Sequence, residues 1–162
     1  MQPVDYYLDE YGKDHQNPVN KNLHRICVPA ILVSLLGLLW ALPVPDLFAG
    51  VGRFMNWATL FIALAMVYYT VLSPRLALGM LPVVVISLYL VDAMSRLPWP
   101  LWQTSIAIFV VAWIGQFIGH AVEGKRPSFF RDLQFLLIGP LWLLADVFRR
   151  LGIPVATSVS RN

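Results

Sequence analysis

The chain is poor in charge, in cysteine and in histidine. Charged residues make up 13% of its 162 residues and apolar residues 58%, whereas an ordinary soluble domain carries roughly 25% charged residues. That balance argues against a soluble globular protein, a disordered chain and a coiled coil. The single cysteine, Cys27, excludes an intrachain disulfide and any cysteine-cluster metal site. Net charge is only +3, and no basic block is dense enough to suggest nucleic acid as a partner. No internal repeat is visible. The segment 1–25 lacks the apolar core of a secretory signal and carries Asp5, Asp9, Glu10 and Asp14.

What the chain does have is long apolar runs. Four of them, 26–42, 54–72, 76–91 and 97–119, hold no formal charge. A spanning helix needs about 20 mostly apolar residues. The second and fourth runs meet that length easily, and the first and third meet it with flanking residues. A fifth run, 133–145, is bounded by Asp132 and Asp146 and contains Gly139-Pro140, a pair expected to interrupt a helix. Its length suits an interfacial or re-entrant segment. Near the N-terminus, Val4, Tyr7, Leu8 and Tyr11 recur at i, i+3, i+4 and i+7. That spacing predicts a short amphipathic helix, ended by Gly12 and lying on the membrane surface with its tyrosines at the headgroups.

The pattern therefore predicts an all-α integral membrane helical bundle, a single domain over 1–162. Four helices span, a cytosolic N-terminal segment covers 1–25, and an interfacial or re-entrant helix covers 133–150. With four spans, Lys13, Lys21, Arg25, Arg75, Lys125, Arg126, Arg131, Arg149, Arg150 and Arg161 share one side, and only Arg53 and Arg96 lie on the other. The positive-inside rule then places both termini in the cytosol, in a bacterial inner membrane or the endoplasmic reticulum.

The same topology puts all three histidines, His15, His24 and His120, on the cytosolic side at one membrane depth. Gln116, His120 and Glu123 form one helix stripe at i, i+4 and i+7, with Trp113 continuing it toward the membrane. A polar stripe ending an apolar span faces protein or a water-filled cavity. Histidine and carboxylate donors without cysteine suit non-haem iron, zinc, copper or nickel, and the spacing does not choose among them. The run His15-Gln16-Asn17-Pro18-Val19-Asn20 can form a lid over such a site, or an ordinary turn with Asn20 or Asn22 as a helix cap.

Two motifs carry a resemblance. Tyr11-x3-His15-x-Asn17-Pro18-x-Asn20-x3-His24-x4-Pro29 and Trp113-x2-Gln116-Phe117-x-Gly119-His120, followed by Glu123, Lys125-Arg126-Pro127 and Gly139-Pro140, resemble the signatures of the yeast-type 2-hydroxy fatty acid dioxygenases. That family takes part in metabolising phytosphingosine to odd-numbered fatty acids. The resemblance covers roughly 5–150, and Ser128-Phe129 departs from it. It implies an Fe(II)-dependent membrane oxidoreductase that removes one carbon as CO2 from a long-chain 2-hydroxy fatty acid, using O2. It implies His15, His24 and His120 as iron ligands. Glu123, Lys125 and Arg126 are then catalytic candidates, the two cations and Arg25 as holders of the substrate carboxylate, although lipid headgroups would equally occupy such cations. Asn20 and Gln116 are candidates for orienting the ligands. Trp113, Phe117 and Trp142 are candidates for lining an acyl groove.

Two readings compete. One is a zinc-dependent membrane hydrolase of a lipid amide or ester, with the same ligands. The other is a non-catalytic lipid-binding or structural membrane protein whose histidines only pack.

Overall fold

The computed structural model describes residues 3–46, 50–52, 54–126 and 134–155. Arg53, Pro127, Ser128-Phe129, Arg131, Asp132, Leu133 and Arg161 lie outside the described residues. Among the described residues there are six α-helices and no strand. They are α1 (Val4–Lys13), α2 (Pro18–Trp40), α3 (Trp57–Leu72), α4 (Pro74–Ser95), α5 (Leu101–Glu123) and α6 (Phe135–Arg150).

Helices α2, α4 and α5 are long and apolar enough to cross a membrane. Helix α2 starts eight residues before the first apolar run because Asn17 caps it, accepting from the Val19 N–H at 2.9 Å, with Pro18 at the first helical position. Helix α3 is shorter than its run suggested, at 16 residues. A capping box starts it: the Asn56 side chain accepts from the Ala58 and Thr59 N–H groups, and Thr59 Oγ1 accepts from the Asn56 N–H. Ser73-Pro74 then ends α3 and opens α4.

Helices α2 and α5 form the most extensive packing in the bundle. They run antiparallel, and small residues let them close up. A side chain at Gly37 would strike Ser105, one at Gly115 would strike Cys27 Sγ, and one at Gly119 would strike Asn20 Oδ1. Close backbone approach of this kind is how helices associate where lipid removes the hydrophobic drive. The outward faces of α3, α4 and α5 keep Leu64, Val67, Val71, Val85, Tyr89 and Val111 exposed. That is an apolar belt suited to acyl chains.

Two expectations change. The stripe Val4, Tyr7, Leu8 and Tyr11 is helical, but it is buried against protein, chiefly α6, and the helix runs past Gly12 to Lys13. Phe135, Ile138, Leu141 and Trp142 supply the apolar partner that the headgroup region was expected to provide. Helix α6 also runs through Gly139-Pro140 without a break. A proline inside a helix costs about 3 kcal/mol, and each large apolar side chain that α6 buries returns about 1.5–3 kcal/mol. Gly139 eases the close approach of Tyr11, whose Oη would lie only 3.1 Å from a Cβ at that position.

Candidate metal centre and acyl cavity

Three chain segments meet at the end of the α2–α5 pair: the link after α1, the first turns of α2 and the last turn of α5. Each brings one buried histidine. Ligand atoms of His15, His24 and His120 lie within 4.8 Å of one another.

The ring orientations follow from helical spacing. His15 Nδ1 lies 2.5 Å from the Tyr11 carbonyl and His24 Nδ1 lies 3.0 Å from the Asn20 carbonyl, each four residues earlier. A carbonyl can only accept, so each Nδ1 carries the proton and each neutral ring leaves Nε2 as a lone pair. Those two Nε2 atoms face each other at 2.8 Å. Two acceptors at that distance repel unless a cation sits against both. His120 Nδ1 is buried without a hydrogen-bond partner, and His120 brings a third ring nitrogen to the cluster. Backbone-anchored imidazoles presenting free nitrogens are the usual dressing of a transition-metal site. The three residues present therefore fit a metal, and imidazole suits iron and zinc alike.

The surroundings hold the rings still and neutral. Tyr11 stacks on His15 at 4.2 Å with the planes 7° apart, and Trp142 packs against His15 from α6 at 5.4 Å. Burial pushes the His15 imidazole below its ordinary pKa and pushes the Tyr11 phenol well above its own. Tyr11 thus stays a proton donor.

Glu123 clamps this end of the molecule. Its Oε1 accepts from the Gln16 N–H at 2.9 Å, and its Oε2 accepts from the Asn17 N–H at 2.8 Å and from Asn20 Nδ2 at 3.0 Å. The carboxylate is taken up by three N–H donors and is not part of the three-histidine group. Asn20 meets His24 through its backbone carbonyl, while its side chain joins Asp14 and Glu123. Lys125 pairs with Asp14 at 3.5 Å and donates to the Lys13 carbonyl. Arg126 is exposed just past α5, and Arg25 bonds Asp146 at 3.1 Å. None of these three cations lines the cavity described next.

A narrow apolar cavity of about 90 Å³ opens beside the histidines. His24, His120, Gln116 and Tyr11 form its polar end. From there it runs between the helices past Trp113, Ile31, Phe61 and Val84 to Leu36 and Ser87. Its α2 wall from His24 to Leu36 extends about 18 Å at 1.5 Å per residue. Of the aromatics expected to line a groove, Trp113 does so. Phe117 is 47% exposed on the outer face, and Trp142 is buried behind His15. The contacts of Tyr11 and Trp142 with His15 were not anticipated, although Tyr11 stands one helical turn before His15.

A family description, the Mpo1-like 2-hydroxy-palmitic acid dioxygenases, matches residues 1–151. The chain belongs to the Mpo1-like family. It is 27% identical over 147 residues to the 2-hydroxy-palmitic acid dioxygenase MPO1 of Saccharomyces cerevisiae, covering 90% of this chain and 79% of the yeast protein. No solved structure matches.

Proposed function

We propose that this protein is an Fe(II)-dependent dioxygenase that shortens long-chain 2-hydroxy fatty acids by one carbon and releases CO2. The observation that carries the reading is the joining of a three-histidine cluster to an apolar cavity of acyl-chain length. Kinship with a 2-hydroxy-palmitic acid dioxygenase supports the choice of substrate. His15, His24 and His120 would hold the metal. Iron bound there would supply the Lewis acidity and redox chemistry that couple O2 to the substrate.

The chain's own residues do the rest. The apolar walls take the tail and keep water from the reacting end. Tyr11 and Trp142 fix the His15 ring, and Glu123 locks the 14–17 link across the site. The overall balance is 2-hydroxy acid plus O2 giving the shortened acid, CO2 and water. The substrate supplies all four electrons, so no reducing co-substrate is required. In the membrane, α2, α3, α4 and α5 form four spans, with α1 and α6 packed together at the cytosolic interface. Arg25, Lys125, Arg126, Arg149 and Arg150 then face the anionic inner leaflet. This matches a bacterial inner membrane or the endoplasmic reticulum.

The test is elemental analysis of purified protein after anaerobic Fe(II) loading, beside His120→Ala. About one iron per chain, lost in the variant, followed by O2 uptake and CO2 release with 2-hydroxypalmitic acid, is the expected result. Stoichiometric zinc without O2 uptake would move the assignment to hydrolysis.

A further inference from the structure

Gln116 is unexplained by the metal cluster. It lies one helical turn before His120, is 5% exposed, and lines the cavity between the histidines and the apolar tail region. Its Oε1 is buried without a hydrogen-bond partner. The neighbouring walls, Trp113, Val28 and Ile31, are mainly apolar. A buried amide oxygen left unpaired in such a place is unfavourable, so a ligand group is the natural partner.

The ligand chemistry follows from the amide. A carboxamide offers an acceptor and two donors. A fatty carboxylate has only acceptors and satisfies the NH2 end alone. A hydroxyl on the adjacent carbon adds the donor that Oε1 lacks. Gln116 lies four residues, about 6 Å along the axis, below His120, where the first carbons of an acid headed for the cluster would pass.

We propose that Gln116 is a specificity-determining residue that reads the 2-hydroxyl of the substrate, its Oε1 accepting from that hydroxyl while its NH2 donates to the carboxylate. The inference rests on the reading of the cavity as an acyl groove and adds to it the group that tells a 2-hydroxy acid from a plain one. The amide sits in the cavity wall and holds no histidine ring by any hydrogen bond among the described residues.

The experiment compares anaerobic Fe(II)-loaded protein with Gln116→Met, a near-isosteric apolar replacement. Affinities for 2-hydroxypalmitic and palmitic acids are measured without O2, so that no turnover occurs. The readout is the ratio of the two dissociation constants. Metal chelation by the hydroxyl contributes equally to both proteins and cancels from the comparison. The expected result is a loss of about tenfold in preference for the 2-hydroxy acid, the worth of one hydrogen bond. Both acids should lose the bond from the NH2 to the carboxylate, only the 2-hydroxy acid should lose the second bond as well, and iron content should be unchanged. A retained preference with iron in place would overturn the proposal and leave the proposed function standing. Loss of iron in the variant would also overturn it, by making Gln116 a support of His120. Failure of the unaltered protein to bind either acid would overturn the acyl-groove reading itself.

Discussion

His15 Nε2 and His24 Nε2 face each other at 2.8 Å, and both rings are held in that pose by backbone carbonyls. The arrangement is self-repelling without a cation. Metal binding and local stability are therefore coupled: a ligand that binds only the folded state adds about 4 kcal/mol at a thousandfold excess over its Kd.

Removing the metal should accordingly lower the melting temperature by several degrees. His24→Ala should lose bound metal and the metal-dependent part of the stability together. Differential scanning fluorimetry with and without a chelator checks this. A variant that melts as the unaltered protein does, and still responds to chelator, would contradict it.

Glu123→Gln keeps the shape of the clamp and removes its charge. Hydrogen bonds to a charged group are worth about 1.5–3 kcal/mol against about 1 for neutral ones. The 14–17 link should loosen, and metal affinity should fall about tenfold, the scale of losing a support behind a ligand. Metal titration against a competing chelator measures it. Glu123→Ala should be worse than Glu123→Gln.

Acid should weaken the metal-free fold. Burial holds the His15 pKa below the ordinary 6.5, so at mildly acidic pH the unfolded chain binds the proton more readily than the folded one. Stability is then fully present above pH 6.5 and is lost as pH falls toward the depressed folded value. Melting of the chelated protein from pH 7.5 to 5 should show the decline, and His15→Gln should flatten it.

The α2–α5 seam makes a reciprocal prediction. Gly115→Ala places a methyl against Cys27 Sγ and should cost about 1–3 kcal/mol, the range for overpacking. Cys27→Ala in the same chain removes the obstacle and should recover most of that loss. An additive pair of losses would contradict the contact.

Chain-length preference should respond to the far wall of the cavity. Ser87→Phe fills space at the end remote from the histidines. Competition among saturated 2-hydroxy acids should shift toward shorter tails, with metal content unchanged.

Helical character and the apolar runs were legible because each relies on local periodicity and composition. The i, i+4 spacing of Tyr11 to His15 and of Asn20 to His24 was also visible, and it sets both ring orientations. The partner of the α1 stripe was not visible, since a buried face reads the same against lipid or protein. Helix α3 starts later than its apolar run because apolar length hides the cap at Asn56. Pro140 reads as a break in the sequence because its local cost is legible while the packing of α6 that offsets it is not. Glu123 stood in a plausible ligand register, and only the fold reveals that backbone N–H groups from a segment about a hundred residues earlier occupy it.

The three rings come from residues 15, 24 and 120. During synthesis the first two are made early, and the third follows only after α3, α4 and nearly all of α5. The cluster cannot exist on a growing chain before α5 has left the ribosome and docked antiparallel to α2. A metal that takes all three rings as ligands can thus load only late in biogenesis, and a chain truncated before His120 would never assemble the cluster.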